Sequence, residues 1–389
     1  MFTLIKKDQK TNARRGVMAT AHGEVQTPFF MPVGTNATVK SLTFEDLRAV
    51  NSQIVLSNAY HLYLRPGMEV IEAAGGLHRF MNWELPILTD SGGYQIFSLT
   101  KFRKLTDEGV KFRSHIDGSL HFLTPEDVIK IEQTLGADMI MCLDECAPYP
   151  CERKKAQKAV ERTTKWAKRC KDYFKKHPSR FKQSLFGIIQ GATYEDLRLQ
   201  SVKEILDIGF DGYAIGGVSV GEPVKDMFET LDWLMPHLPS DKPRYFMGIG
   251  LPDQIVKAVG MGIDMFDTCI PTRYGRHGAA FTKAGKINLN NATFTNDFTP
   301  IDPTCEGICC KKYTRAYIRH LLNQNEITAL HLISYHNVLF YVNLMREIRA
   351  AIEADRYEAF QNEFLENYKS ELFNVGNGHA RSLPVKANL

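Results

Sequence analysis

The amino-acid sequence predicts a (β/α)8 barrel of the α/β class. Eight short apolar runs end in a polar residue or a glycine, and helical stretches separate most of them. Glycines stand where helix C-caps belong, as in DLRLQSVKEILDIG and LPDQIVKAVGMG. Eight such runs favour a closed parallel barrel, whereas six or seven would fit a doubly wound open sheet. The runs are FFMPVG (29–34), QIVLSN (53–58), PILTD (86–90), DMIMCLD (138–144), LFGIIQG (185–191), GYAIGG (212–217), YFMGIG (245–250) and MFDTC (265–269).

The chain has 389 residues, more than the roughly 250 that such a barrel needs, so we expect further elements. The first 26 residues predict a short antiparallel cap. A hairpin that turns at Asp117-Gly118 predicts an insertion after the third strand. A cysteine-bearing segment, about 292–340, predicts a second insertion after the eighth strand, and helical spacing from Leu344 onward predicts helices that close the barrel. We therefore expect one catalytic domain over residues 1–389.

Composition places the chain among folded cytoplasmic proteins. Hydrophobic residues make up 44% of it, which is enough for a large core. No apolar run reaches the roughly 18 residues that a membrane span requires, and the N-terminus lacks the apolar stretch of a signal peptide. Eight cysteines at irregular positions favour a reducing compartment over a disulfide framework. We expect a cytoplasmic protein with no membrane partner.

Positive charge is concentrated in one segment. The formal net charge is only +4, yet residues 151–182 hold thirteen Lys/Arg against three Asp/Glu. Small and apolar residues recur there at helical spacing, which predicts an amphipathic helix with a basic outer face. Such a face is either plain solvated surface or a contact for a polyanion, and the sequence leaves both open. The residues of the predicted inner face are Ala156, Ala159, Val160, Thr163, Ala167, Cys170 and Phe174.

Chemistry in a parallel barrel occurs at the carboxyl ends of its strands. A single aspartate in such a place is often only the N-cap of the next helix, but three on one rim favour a catalytic site. Two carboxylates on opposite sides of the rim suggest a double displacement at a sugar carbon, in which one attacks and the other moves a proton. The strand-end residues are Asp90, Asp144, Gln190, Gly216 with Gly217, Gly248 and Asp267.

Two strand ends predict a pocket for a flat heterocycle. In LTDSGGYQIFS, Gly92 and Gly93 let the backbone approach a ligand, and Tyr94 adds an aromatic face. A tight turn with a packed tyrosine is the alternative. Asp144 only accepts hydrogen bonds, whereas Gln190 both donates and accepts. This pair suits the amino–imide edge of a base such as guanine.

The stretch MFDTCIPTRYGRHG indicates why a buried strand ends in a carboxylate. Asp267 fits the nucleophile, because the chain turns at Pro271 and continues into a basic loop. In that loop Arg273 and Arg276 are suited to the phosphates that flank a reacting sugar. A surface turn with solvated arginines is the alternative for this loop.

The segment CEGICCKKYTRAYIRH predicts a metal site. Clustered cysteines with a histidine downstream favour Zn²⁺ in a reducing compartment, and such a site stabilises an insertion that lacks its own core. The downstream ligand is either His331 or His336. Chance clustering of free thiols is the alternative. Lysines and arginines surround the cysteines, so we expect the insertion to be basic.

The sequence resembles the bacterial tRNA-guanine transglycosylases, also called queuine tRNA-ribosyltransferases, over nearly its whole length. The resemblance implies a barrel with one structural Zn²⁺ per chain and a homodimer. It implies exchange of the wobble guanine of GUN-anticodon tRNAs for a 7-deazaguanine, through a covalent tRNA–enzyme intermediate in queuosine biosynthesis. It is carried by TDSGGYQIFSL, MCLDECAP, the IIQG strand, AIGGVSVGE, YFMGIGLPDQI, FDTCIPTRYGRHG and YTRAYIRHL.

The resemblance also implies roles for particular residues. Asp267 would be the nucleophile and Asp90 the general acid/base. The implied substrate-binding residues are Asp90, Ser91, Gly92, Gly93, Tyr94, Asp144, Gln190, Gly216, Gly217 and Met247. The implied RNA-binding residues are Gly248, Ile249, Gly250, Leu251, Pro252, Asp253, Gln254, Thr272, Arg273, Tyr274, Gly275 and Arg276. Cys146 and Val220 resemble the pattern that favours 7-aminomethyl-7-deazaguanine, with queuine as the other candidate base.

The chain departs from the family in its metal motif, which is Cys-x-Cys-x-x-Cys followed by a distant histidine. Alignment on YTRAY assigns Cys305, Cys310 and His336 as ligands, but Gly307 occupies the middle position. Cys309 is a doubtful fourth ligand, because adjacent cysteines rarely bind one metal comfortably in an extended chain.

Two rival functions use related features. A retaining glycosidase would also need two carboxylates and an aromatic platform, but the basic loop and the Asp144/Gln190 pair disfavour it. A non-enzymatic tRNA-binding subunit would be expected to lack one of the two carboxylates, and both Asp90 and Asp267 are present.

Overall fold

A computed structural model of the chain describes residues 2–100 and 102–368. The single-domain assignment for residues 1–389 and the last part of the predicted closing tail therefore extend to residues that lie outside the described ones. Among the residues described, no helix is both long and apolar enough to cross a membrane.

The strands and helices alternate along most of the chain. The strands are β1 (Phe2–Lys7), β2 (Arg14–Thr20), β3 (Gly23–Thr27), β4 (Phe29–Pro32), β5 (Val55–Asn58), β6 (Ile87–Asp90), β7 (Arg103–Leu105), β8 (Val110–Arg113), β9 (Leu120–Leu123), β10 (Met139–Met141), β11 (Ser184–Ile189), β12 (Gly212–Ile215), β13 (Arg244–Phe246), β14 (Met265–Thr268), β15 (Ala279–Thr282) and β16 (Gly285–Asn288). The α-helices are α1 (Phe44–Ala49), α2 (Ala59–Leu64), α3 (Met68–Ala73), α4 (Leu77–Met81), α5 (Gly93–Leu99), α6 (Pro125–Leu135), α7 (Arg153–Lys176), α8 (Glu195–Ile208), α9 (Val224–Leu234), α10 (Pro252–Gly260), α11 (Ile270–Gly275), α12 (Ile308–Lys312), α13 (Arg315–Asn323), α14 (Ile327–Glu353) and α15 (Tyr357–Asn367). Short 3-10 helices span Met235–His237 and Ala292–Phe294.

Eight parallel strands form the barrel, in the order β4-β14-β13-β12-β11-β10-β6-β5. A parallel bridge between Val33 and Leu56, with a 2.6 Å hydrogen bond from Gly34 N to Leu56 O, joins β5 back to β4 and closes the ring. Nearly all residues of these strands are buried, because helices cover the outside of the barrel while side chains fill the inside. Each strand coincides with one of the eight apolar runs, so the predicted fold class is confirmed.

The predicted additions to the barrel are also present. Strands β1–β3 form an antiparallel sheet at the amino ends of the barrel strands, which confirms the cap. Strands β7–β9 form a second antiparallel sheet between β6 and α6, and the β8–β9 turn contains the predicted Asp117-Gly118. We call β7–β9 the insertion sheet. Helix α14 spans both the end of the predicted cysteine-bearing segment and the start of the predicted closing tail.

Helix α7 confirms the predicted amphipathic helix. The predicted inner residues are buried except Phe174, which is half-buried, and the sequence interpretation missed the buried Trp166. Several of its cations bond to carboxylates of the same chain: Arg162 to Glu145, Lys165 to Asp107, and Arg169 to Glu126. These basic residues therefore attach α7 to the elements next to it.

A buried ion pair ties the cap to the barrel. Arg14 on β2 and Asp264, the residue before β14, are both almost inaccessible to solvent. Arg14 Nε donates to Asp264 Oδ1 at 2.9 Å, and its other nitrogens donate to the carbonyls of Ser240 and Lys242 at 2.8 and 2.6 Å. Asp264 also accepts from Arg244 N at 2.7 Å. Every charge is thus compensated, which is the condition under which a buried pair is tolerated.

We predict that Arg14→Met lowers the free energy of unfolding by about 3 kcal/mol, because Asp264 is left buried without its cation. Arg15→Met on the same strand is the control, because Arg15 pairs at 2.8 Å with the half-exposed Glu353 and such pairs contribute about 0–1 kcal/mol. Urea denaturation of both variants measures the difference. Equal losses in the two variants would contradict the role of the buried pair.

Candidate active site and metal centre

Three carboxylates meet at the carboxyl ends of the barrel strands. Asp90 is the last residue of β6, Asp144 follows β10, and Asp267 lies in β14. Asp90 and Asp144 are each 8% exposed, and Asp267 is half-buried. Burial raises the pKa of both Asp90 and Asp144; the charge of Asp267 adds to the rise at Asp90, and the charge of Asp90 adds to the rise at Asp144. The fold therefore brings the three predicted acids into one electrostatically coupled group.

Two hydrogen-bond donors stabilise the charged form of the Asp267 carboxyl group. Tyr245 Oη donates to Asp267 Oδ1 at 2.6 Å, and the backbone N–H of Gly248 donates to the same oxygen at 2.8 Å. Burial raises the pKa of Asp267, and these two hydrogen bonds oppose that rise. Asp267 Oδ2 takes part in neither of these hydrogen bonds, so it is the carboxylate oxygen better suited to nucleophilic attack. The sequence interpretation included Gly248 but missed Tyr245, which begins the YFMGIG run.

Asp90 has the character of a proton carrier. Burial raises its pKa to about 6, the charge of Asp267 adds to the rise, and hydrogen bonds from Gln95, Gly92 and Ser91 oppose it. A carboxyl group with such a pKa can both give and take a proton near neutrality. Asn58 Nδ2 donates to Asp90 Oδ2 at 3.2 Å, while Asn58 Oδ1 caps helix α2. Asn58 ends the QIVLSN run and was missed as a site residue.

A further buried acid lies behind Asp90. Glu132 on α6 is fully buried and accepts a hydrogen bond from the hydroxyl of Thr89, the residue before Asp90. Burial raises the pKa of Glu132 well above its ordinary value, and the charge of Asp90 adds to this rise. Burial therefore favours the protonated form of Glu132.

Asp144 and Gln190 form one polar edge, as predicted. Gln190 Nε2 donates to Asp144 Oδ2 at 2.6 Å, and burial raises the pKa of Asp144 to about 7. Gln190 Oε1 is buried and has no hydrogen-bond partner in the described part of the chain. Gly217 adopts φ +65°, and a Cβ there would overlap Gln190 Oε1. Only glycine therefore fits beside this amide.

Arg198 on α8 supports this edge and was missed in the sequence. It is fully buried, and its guanidinium donates to backbone carbonyls at distances of 2.8–3.2 Å. Two of the acceptors belong to Gly216 and Gly217, so Arg198 fixes the peptide orientation there. Burial lowers its pKa to about 10, which leaves it charged at neutral pH. The other two acceptors are Ile189 and Ala192.

The remaining predicted substrate-binding residues line the same region. Tyr94 is 44% exposed, Met247 is half-buried, and Ser91 is buried with its hydroxyl unpartnered among the described residues. Gly93 is close to Asp144, since a Cβ at Gly93 would overlap Asp144 Oδ1.

The segment after Asp267 differs from the predicted basic loop, because residues 270–275 form helix α11 with Pro271 in its first turn. Pro is favoured at that position because its N–H would have no helical acceptor. Arg273 is exposed, and Arg276 is half-buried. Gly275 packs closely on Ser334 of α14, and Thr272 is buried. In residues 248–254, Gly248 is exposed, whereas the side chain of Ile249 is fully buried.

Four side chains converge in the cysteine segment: Cys305, Cys309, Cys310 and His336, whose ligand atoms all lie within 4.8 Å of one another. Cys309 and Cys310 lie on helix α12 rather than in an extended chain, and their sulfurs are 3.9 Å apart. Two thiolates of a tetrahedral Zn²⁺ would be roughly 3.8 Å apart, so the adjacent pair fits.

The histidine of this cluster is held for metal binding. His336 Nδ1 lies 3.3 Å from Cys310 Sγ, and its Nε2 bonds to Phe281 O at 2.6 Å, which orients the ring. His331 bonds to Ser41 O instead, which decides between the two candidate histidines. A Cβ at Gly307 would overlap Leu339, so packing occupies the space of the family's middle cysteine. Three thiolates and one imidazole suit Zn²⁺.

Comparison with known proteins bears on this site. The sequence model of the family described as queuine tRNA-ribosyltransferase matches residues 8–370. The chain belongs to this family. A queuine tRNA-ribosyltransferase of Halothermothrix orenii is 54% identical over 367 residues, 94% of this chain and 97% of the relative. Proteins of the same name from Pelotomaculum thermopropionicum (53% over 370 residues, 95% and 99%) and Desulforamulus reducens (54% over 371 residues, 95% and 98%) are also similar.

Family membership confirms the resemblance seen in the sequence and makes the chain a pentosyltransferase. The residues that converge at the barrel rim therefore form the candidate active site of a queuine tRNA-ribosyltransferase family member. The cysteine cluster near the C-terminus provides a site that could hold a metal.

We predict that Tyr245→Phe lowers kcat/KM roughly 10- to 100-fold, because a hydrogen bond to a charged group contributes about 1.5–3 kcal/mol. Loss of the bond also raises the pKa of Asp267, so the acid limb of the pH–rate profile moves to higher pH. The control is Tyr213→Phe on neighbouring β12, whose hydroxyl contacts a backbone N–H rather than a carboxylate. An unchanged acid limb of the pH–rate profile in Tyr245→Phe would exclude a role of Tyr245 in stabilising the charged form of Asp267.

Proposed function

We propose that the enzyme exchanges the wobble guanine of GUN-anticodon tRNAs for a 7-deazaguanine, by double displacement, in queuosine biosynthesis. The observation that carries the proposal is the convergence of Asp90, whose pKa is raised to about 6, and Asp267, which accepts two hydrogen bonds that favour its charged form. The names of the similar proteins, queuine tRNA-ribosyltransferases, support the choice of substrate.

In the first displacement, Asp267 attacks C1′ of the ribose. The bond from C1′ to the base breaks, and the departing guanine takes a proton from Asp90. In the second, the incoming 7-deazaguanine gives a proton to Asp90, and its nitrogen bonds to C1′ as the C1′–oxygen bond to Asp267 breaks. Both acids return to their first state. One glycosidic bond replaces another, so the exchange needs no ATP.

The base would be bound between Tyr94 and the polar edge of Asp144 and Gln190. The unpartnered Gln190 Oε1 can accept from the amino–imide edge of a guanine, and Gly217 gives the base room to reach it. Cys146 and Val220 favour 7-aminomethyl-7-deazaguanine over queuine as the incoming base.

The RNA would be bound along residues 248–254 and 272–276. Arg273 is exposed and Arg276 is half-buried next to it, so both can reach phosphates beside the reacting nucleotide. The buried residues in these segments, such as Ile249 and Thr272, would instead hold the segments in position.

The basic α11 disfavours a retaining glycosidase, and the presence of both Asp90 and Asp267 disfavours a non-enzymatic tRNA-binding subunit.

The quaternary structure we propose is a homodimer in the cytoplasm. The C-terminal part of the chain exposes several large apolar side chains, which supports an interface with a second copy of the chain. Tyr317 stacks on Tyr313 with ring centroids 5.7 Å apart and is itself 45% exposed. Ile308 and Ile327 are 48% and 76% exposed.

The cysteine cluster would hold one structural Zn²⁺ per chain, with Cys305, Cys309, Cys310 and His336 as ligands. When bound, the ion would crosslink α12 to α14. The carboxylates account for the chemistry without it.

The proposed intermediate can be trapped. We expect denaturing gels of enzyme mixed with tRNA to show a covalent RNA–protein adduct, which Asp267→Asn abolishes because its amide cannot attack C1′. Asp241→Asn, at an exposed position before β13, is the control and should keep the adduct. Incorporation of labelled guanine, and then of both 7-deazaguanines, measures the exchange. Release of free sugar, or tRNA binding without exchange, would support a rival function.

We predict that Cys309→Ser loses most of its zinc, because serine replaces one of three thiolates. Metal analysis of the purified variant measures zinc per chain, and thermal unfolding measures the loss of stability. Cys151→Ser is the control, since Cys151 lies outside the cluster, and should keep full occupancy. Unchanged zinc in Cys309→Ser would exclude Cys309 as a ligand.

A further inference from the structure

The insertion sheet has one face that packs on the protein and one that faces solvent. Val110 and Phe112 are buried, while Lys111 and Arg113 between them are exposed. Strand register places Lys111 between Lys104 and Phe122, and Arg113 opposite Leu120. Phe102 lies beside Arg113, since Arg113 N donates to Phe102 O. The outer face therefore consists of Phe102, Lys104, Lys111, Arg113, Leu120 and Phe122.

The chemistry of this outer face is aromatic and cationic. Phe102 and Phe122 are 46% and 48% exposed, which is unusual for phenylalanine on the surface of a folded protein. The three segments FRKL (102–105), VKFR (110–113) and LHFL (120–123) contain no acidic residue. Acidic residues stand only in the turns, and Asp107 is already bonded to Lys165 of α7. The positive charge of the outer face is thus not cancelled within the sheet.

The insertion sheet is attached to the elements that form the catalytic rim. His115, in the β8–β9 turn, bonds to the hydroxyl of Tyr60 at 2.8 Å. Tyr60 lies on α2, whose N-cap Asn58 donates to the catalytic Asp90. These two contacts connect the insertion sheet to the strand end that carries Asp90.

A second path of aromatic and cationic groups leads from the base-binding region to the sheet. Tyr94 lies next to Phe97, with ring centroids 6.3 Å apart, and the guanidinium of Arg103 lies over the Phe97 ring at 4.4 Å. Arg103 begins β7. Aromatic and cationic side chains therefore connect Tyr94 to the first residue of β7, and Phe102 and Lys104 on either side of Arg103 belong to the outer face.

We propose that the outer face of the insertion sheet is a second RNA-binding surface, which binds nucleotides of the tRNA substrate beyond those held in the active site. Unpaired bases stack on Phe102 and Phe122, and phosphates contact Lys104, Lys111 and Arg113. Exposed aromatics alternating with cations on a small sheet are the recurring solution for single-stranded nucleic acids. The inference rests on the proposed function, since it takes tRNA as the substrate.

Two double variants test this surface: Phe102→Ser with Phe122→Ser, and Lys104→Gln with Lys111→Gln. We expect KM for tRNA to rise at least roughly 30-fold in the first, because stacking on both aromatic rings is lost. We expect the second to reduce the slope of log affinity against log salt by about one to two. KM for the free base and kcat at saturating tRNA should change by less than a factor of two in both.

The matched control lies on the cap at the opposite end of the barrel. Ile5 on β1 is 53% exposed and Lys7 is exposed, so Ile5→Ser with Lys7→Gln removes similar chemistry from a similar sheet. This variant should leave KM for tRNA and its salt dependence unchanged. An equal effect in the control would show a general surface effect and overturn the proposal.

Other results would also overturn it. An unchanged KM for tRNA in both double variants would exclude the surface. If the double variants lowered kcat alone, the insertion sheet would serve to hold α2 in position. If they altered self-association and left KM for tRNA unchanged, the outer face would bind a protein partner. Direct tRNA binding to Asp267→Asn, with and without the surface variants, separates this proposal from the function. If the wild-type enzyme did not exchange the base, the proposed function would be refuted. Weaker tRNA binding by the surface variants would still support the second RNA-binding surface.

Discussion

Closure of the barrel is the constraint on which the active site depends. In the order of the sheet, β14 and β6 are five strands apart, which in an open sheet would separate Asp267 from Asp90 by roughly 24 Å. The bridge between Val33 and Leu56 joins the two edges, so that only β4 and β5 stand between these strands. The two acids are then close enough for the charge of Asp267 to add to the rise that burial causes in the pKa of Asp90.

The same enclosure sets the protonation of the site. Burial raises the pKa of Asp90 to about 6 and of Asp144 to about 7, both above the ordinary value of 3.8. Because the folded state holds these protons more tightly than the unfolded chain, the two acids favour folding below about pH 4. That contribution is lost as the pH rises to 6–7. At neutral pH the site therefore lowers the stability of the fold, and the barrel core has to offset this.

The sequence was sufficient for the residues whose positions follow from alternation. All eight barrel strands could be predicted because each is an apolar run with a polar end, and Asp90, Asp144, Gln190 and Asp267 follow directly from those ends. Residues that act across strands could not be found in this way. Tyr245 reaches Asp267 from a different strand, and Arg198 reaches two glycines from a helix. Those contacts depend on register and helix rotation, which periodicity does not specify.

Local backbone conformation also limited what could be predicted from the sequence. The doubt about Cys309 rested on an extended chain, in which neighbouring side chains point to opposite sides. Because residues 308–312 are helical, both sulfurs can approach one point. Likewise, the sequence of the basic segment after Asp267 predicts a loop, but a helix begins there at Ile270, with Pro271 in its first turn. Short helices of five or six residues leave almost no periodic signal.

The link between Arg14 and Asp264 has a consequence for biosynthesis, because 250 positions separate the two residues along the chain. After Thr27, the last residue of the cap, the ribosome must add 237 further residues to reach Asp264. Until then the guanidinium has no counterion, and β4 lacks its neighbour β14. The barrel can therefore close only after most of the chain has been synthesised, because the contacts that close it join residues far apart in sequence.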